Sequence, residues 1–277
     1  MVGNLYRYML VFLLGLIPAP GHSVVWDSDR EALIAYRLSE ELQSGELVWL
    51  KSPGGQSVAA VFTSAGPYLR PTAVILLHGM GAHPDWPVII SPLRKHLAKE
   101  HWSSLSIQLP VLANDQPVAD YGRTLKESSR RIRMGVEYLI KRNYRDIVLI
   151  GYGFGAMSAL EYIVNRDRQH IAAFAGISML ARKFLEPRVD MLAYLERAEL
   201  PILDIYGSDD MNFVVKTADD RRLYASKTTT KYITQRMVEG ADHYYTGHEQ
   251  TVFGLITKWL GALQQDPEEE NLPQQEK

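Results

Sequence analysis

The residues able to do chemistry together lie in Gly151-Tyr152-Gly153-Phe154-Gly155, Gly207-Ser208-Asp209-Asp210 and Gly240-Ala241-Asp242-His243. An aspartate bonded to one imidazole nitrogen fixes the tautomer and makes the other nitrogen a base. Asp210 is the expected acid, with Asp209 as the fallback, and His243 the expected base. The glycine segment follows an apolar strand-like run, Ile147 to Ile150, and precedes a helical pattern, the strand-turn-helix setting of a nucleophile elbow. Its centre is Gly153, which has no side chain and so cannot begin a covalent acyl transfer.

The order elbow, acid, histidine along the chain is that of the α/β-hydrolase fold. His78-Gly79-Met80-Gly81, after the apolar run Thr72 to Leu77, is placed where that fold supplies an oxyanion amide. Gly79 or Met80 would provide one main-chain donor and Phe154 the other. Main-chain donors survive the loss of a serine. The glycines Gly151 and Gly155, at a helix start, together with Asp85 and Trp86 from a proline-bounded turn, are candidate ligand-binding residues.

Elements that must position these groups read as an alternation. A short amphipathic helix over Asp27 to Leu42 precedes two strands, Glu46 to Leu50 and Ser57 to Thr63. Strands are then expected at 72–77, 103–108, 146–150, 171–177, 201–206 and 232–238, and helices near 89–99, 125–141, 156–164, 189–197 and 250–263. This pattern predicts an α/β architecture, a mostly parallel, doubly wound sheet with sites built at one edge. The stretch between residues 177 and 201 is short, so a minimal lid or none is expected.

The chain has 277 residues, a net charge of -2 and no cysteine. Thiol nucleophiles, disulfides and cysteine-ligated metals are thereby excluded, and no basic stripe points to nucleic acid. Arg7, the apolar run Tyr8 to Ile17 and the small residues Gly21 and Ser23 read as a secretory signal over 1–23. Export to the periplasm is the expectation, with membrane association only if that segment stays uncleaved. A domain over 24–265 and a disordered acidic tail over 266–277 complete the organisation.

His83-Pro84-Asp85-Trp86-Pro87, Pro92-Leu93-Arg94, the stretch Trp102 to Pro110 and the elbow's Gly-x-Gly-x-Gly-Ala carry a family resemblance. Over residues 40 to 263 the chain resembles an uncharacterised α/β-hydrolase-like family of bacterial envelope proteins. The resemblance implies that glycine at the elbow centre is shared within that family; it implies fold and export, but no reaction.

The leading expectation is a pseudo-hydrolase that keeps the pocket, lacks the covalent step and binds a small molecule, an envelope ligand or a partner. The alternative is a hydrolase of esters or related acyl compounds that uses water activated by His243 or a relocated serine, with Ser178 the best substitute and Ser158 a weaker one. Gly151-x-Gly153-x-x-Ala156 also matches a dinucleotide fingerprint, but the acidic residue expected about twenty positions later is missing. His78, His83 and Asp85 match no standard ligand spacing. No metal and no cofactor are therefore expected.

Overall fold

In the computed structural model the described residues are 26–264, apart from 53, 67–69, 167, 182–183 and 228–232. The expected signal segment 1–23 and the acidic tail 266–277 lie outside them.

Among the described residues eight strands form one sheet: β1 (Glu46–Lys51), β2 (Ser57–Thr63), β3 (Thr72–Leu77), β4 (Ser104–Ile107), β5 (Asp146–Tyr152), β6 (Ile171–Ile177), β7 (Ile202–Asp209) and β8 (Ile233–Asp242). Their spatial order is β1-β2-β4-β3-β5-β6-β7-β8. Strand β2 runs antiparallel to β1 and β4, and every other pairing is parallel. Among the described residues the α-helices are α1 (Ser28–Glu41), α2 (Ile90–Lys99), α3 (Tyr121–Ile140), α4 (Phe154–Asn165), α5 (Met191–Arg197), α6 (Asn212–Val215), α7 (Ala218–Ser226) and α8 (Glu249–Ala262).

The continuous apolar run of β3 is explained by the two cores it serves. Ala73, Ile75 and Leu77 join residues of α3, α4 and α5 on one face, while Val74 and Leu76 join α2 and α8 on the other. A strand covered on both faces has no solvent side on which to place polar residues. Parallel crossovers then leave the turns after β3, β5, β6, β7 and β8 along one edge, where the site is assembled.

The expected elements are all present, with shifts at their ends. Helix α4 begins at Phe154, directly after the elbow, and β8 continues to Asp242. The sequence reading missed α6 and α7. Helix α7, ADDRRLYAS, carries too few apolar residues to show a helical stripe. It is held instead by a charge: Arg221, fully buried, donates to Asp204 at 2.9 Å, to the Val214 carbonyl at 2.6 Å and to Thr217 at 3.0 Å. Among the described residues no helix is long and apolar enough to cross a membrane.

Candidate functional site

The turn after β5 is the sharp bend expected of an elbow. Gly153 has φ 53° and ψ -111°, in the left-handed half of φ space that glycine enters without steric cost. Its N–H donates to the Ile177 carbonyl at 2.9 Å, which fixes the bend to β6. A Cβ built on Gly153 would meet nothing within 4 Å.

The neighbouring glycines do something different. A Cβ on Gly155 would stand 2.1 Å from the Leu77 carbonyl oxygen, and one on Gly151 would stand 2.4 Å from the Ala156 nitrogen. They let α4 press against β3 and β5. Neither lines the cavity above Gly153, so their part is this close approach of backbones.

Asp210 lies one residue past β7 and His243 one residue past β8. Nδ1 of His243 stands 2.7 Å from Oδ1 of Asp210. The same oxygen accepts from the Met211 N–H at 2.7 Å, and Oδ2 accepts from the Ser178 hydroxyl. Burial pushes the Asp210 carboxyl upward, but the bonds from His243 and Ser178, the His243 charge and the Met211 amide outweigh it and hold the group below its ordinary range. An ionised carboxylate only accepts, so Nδ1 carries a proton, and a neutral ring then presents its lone pair at Nε2. Asp209 is exposed and accepts from Ser208 at 3.3 Å, whereas Asp210 is the carboxylate bonded to His243.

Ser178 is placed away from the role of substitute nucleophile. It is fully buried, it does not line the cavity, and its hydroxyl is shared between Asp210 and Tyr245, the latter at 2.9 Å. The reason is local: at φ 51° the chain turns immediately after β6 and aims this hydroxyl along the sheet edge toward β7. Ser158 is likewise buried in α4, with no hydrogen-bond partner among the described residues.

A cavity of about 590 Å³ opens above Gly153 and His243. Gly79, Met80 and Phe154, the oxyanion-type residues, border it, and the Met80 and Phe154 amides have no hydrogen-bond partner among the described residues. Phe154 is the first residue of α4, where an amide has no intrahelical acceptor. The loop bearing Met80 is pinned from several sides. His78 Nδ1 donates to the Gly79 carbonyl at 2.8 Å, and its Nε2 accepts from the Leu109 N–H at 2.9 Å. The Gly81 N–H donates to the Tyr121 hydroxyl at 2.8 Å, and Arg30 donates to the Gly81 carbonyl at 3.1 Å. Burial pushes the His78 imidazole down to about 3, so it stays neutral in this role.

The remaining candidates divide. Trp86 lines the cavity, whereas Asp85 does not. Asp85 pairs instead with Arg94, a fully buried guanidinium that also donates to the Ser44 carbonyl at 2.6 Å and to Thr63 at 2.8 Å. Its place in the proline-bounded motif is structural, because a buried guanidinium requires a counter-charge. Of the aromatics near the loops, Trp86, Tyr152, Phe154 and Tyr244 face the cavity, and Tyr121 and Tyr245 are buried supports. Sequence reasoning missed the positioning role of Tyr152: its hydroxyl donates to the His243 carbonyl at 2.9 Å, and its ring lies 5.3 Å from the imidazole. Among the described residues no group of three His, Asp or Glu side chains is placed to hold a metal.

Solved structures share this architecture. Est1E from Butyrivibrio proteoclasticus is 16% identical with TM-score 0.63, covering 79% of this chain and 99% of its own. XC6422 from Xanthomonas campestris, titled a serine hydrolase without lid, is 14% identical with TM-score 0.60, covering 81% and 98%. The esterase Pf2001 of Pyrococcus furiosus is 16% identical with TM-score 0.64, covering 81% and 93%. These likenesses show the α/β-hydrolase fold. A search of the curated proteins finds no match. A family model described as "Protein of unknown function (DUF3530)" matches residues 24–129 and 122–260. With an α/β-hydrolase fold and that match over most of its length, the chain belongs to the DUF3530 family.

Proposed function

We propose that this protein is a non-catalytic relative of the α/β hydrolases that binds a small apolar molecule in the cavity above Gly153. The observation that carries the reading is the open position at Gly153 beside the Asp210–His243 pair. The bend, the acid, the imidazole and the main-chain donors are kept; only the atom that would attack is missing. Structural neighbours titled an esterase and a serine hydrolase support a cavity of hydrolase type. The sequence of residues 1–23 supports export, and amino-terminal sequencing of the protein recovered from a periplasmic fraction tests it, with cleavage near Ser23 as the expected result.

The central test is incubation of the purified protein with a serine-reactive fluorophosphonate. No labelling is expected, and stoichiometric labelling of any residue would overturn the reading. A second reading, hydrolysis by a water that His243 activates, is favoured by one feature: the bond to Asp210 leaves Nε2 as the basic nitrogen. Turnover of short p-nitrophenyl esters that disappears in His243→Ala supports that route against the first.

A further inference from the structure

We propose that the ligand is an apolar carboxylic acid, whose carboxyl group occupies the space left above Gly153 and takes over the hydrogen bond a serine hydroxyl would have made. The inference rests on the ligand-binding reading above and names the chemical class that site selects.

The base of the cavity makes two opposite demands. Among the described residues the Met80 and Phe154 amides have no partner, and both residues border the cavity, so an acceptor there would satisfy them. His243, with Nδ1 committed to Asp210, presents Nε2 as an acceptor, so it requires a donor. In a serine hydrolase the nucleophile hydroxyl meets that second demand. Here no described side chain does: the nearest hydroxyl in sequence logic, Ser178, is spent on Asp210 and Tyr245. A carboxylic acid carries both functions on one carbon. Its carbonyl oxygen accepts from the amides, and its O–H is shared with Nε2, whichever atom holds the proton.

Room for the group follows from Gly153. With nothing within 4 Å of a would-be Cβ, the heavy atoms of a carboxyl can descend to the level where a serine side chain would stand. The rest of the lining defines the rest of the ligand. Among the described residues it includes no Lys, Arg, Asp or Glu, and is dominated by rings and aliphatic chains such as Trp86, Phe154, Leu180, Phe184 and Phe213. Val118, Met211 and Tyr244 at the mouth are 57%, 40% and 54% exposed, which extends the apolar surface to the outside. An ester fits the walls yet offers no donor to Nε2. An alcohol offers the donor, but its single oxygen must then also accept from both amides, whereas a carboxyl places donor and acceptor on separate oxygens.

Isothermal titration calorimetry on the full chain separates these cases, with decanoic acid, methyl decanoate and 1-decanol as probes kept below micelle-forming concentrations. Decanoic acid is expected to bind at least about tenfold tighter than the ester, which leaves Nε2 without a donor, and tighter than the alcohol, whose one oxygen cannot meet Nε2 and both amides in good geometry. In His243→Phe, which keeps a ring and removes Nε2, the preference should fall to within about threefold, because the demand for a donor is gone. The acid-to-ester ratio in the unaltered protein is a test by itself and needs no variant to fold. Equal affinity for acid and ester, or a preference that persists in His243→Phe, overturns the carboxyl assignment while leaving the apolar ligand-binding reading in place. Absence of binding by all three probes overturns both.

Discussion

Nδ1 of His243 and Oδ1 of Asp210 stand 2.7 Å apart although 33 residues separate them in the chain, and Ser178 holds the other oxygen of the same carboxylate. An acid bonded on both oxygens and an imidazole oriented by it form the machinery that makes a neighbouring hydroxyl nucleophilic. Position 153 carries no hydroxyl, and the pair stays assembled because its supports come from the ends of β6, β7 and β8 and from Tyr152 at the end of β5, none of which needs a side chain on Gly153.

Restoring the hydroxyl should therefore restore chemistry. Gly153→Ser is expected to react stoichiometrically with a fluorophosphonate and to turn over p-nitrophenyl butyrate, since the added Cβ clashes with nothing. Because its φ is 53°, the variant should also be less stable by about 1–3 kcal/mol. Mass spectrometry of the labelled protein and urea unfolding check the two halves separately.

Ser178→Ala removes a hydroxyl from a buried carboxylate and a buried phenol. A loss of about 1–3 kcal/mol in unfolding free energy is expected. In the Gly153→Ser background the same change should slow labelling without abolishing it, as befits a residue that supports the acid. Complete loss of labelling, with the fold intact by circular dichroism, would show Ser178 to be the reacting residue instead.

Asp85→Asn leaves the buried Arg94 guanidinium without its counter-charge. Breaking such a pair typically costs about 3–5 kcal/mol, and the partial exposure of Asp85 places the expected loss at the lower end. Decanoic acid affinity should be unchanged at a temperature where the variant is folded. A drop in affinity without a drop in stability would return Asp85 to the ligand site.

The buried His78 imidazole gives the fold an acid sensitivity. Its proton affinity falls from the ordinary 6.5 to about 3 on folding. Between those values the unfolded chain binds more protons than the folded one, so stability rises with pH across the window. The contribution is complete above pH 6.5 and is lost as pH falls toward 3. His78→Gln should reduce the slope of unfolding free energy against pH in that window by up to about 1.4 kcal/mol per pH unit. Urea titrations at a series of pH values measure it.

Much of this was legible from residue order. Strands β3 and β5 announce themselves as apolar runs because both faces of a parallel sheet are covered, and the elbow, acid and histidine stand in fold order at strand ends. What stayed hidden were groups whose partners are distant in the chain. Nothing local in the sequence marks Arg221 as buried, because its counter-charge Asp204 comes from β7, and α7 was missed with it. Ser178, Gly155 and Asp85 were of the right type for a site, but only tertiary placement assigns the first to the carboxylate, the second to a close backbone approach and the third to Arg94. The sequence by itself determined the architecture and the absence of a side chain at the elbow centre, because periodicity and a glycine's lack of a side chain are local facts. The folded structure alone decided which polar groups share hydrogen bonds and which are left facing an apolar cavity, because burial and pairing depend on segments that meet only when the sheet closes.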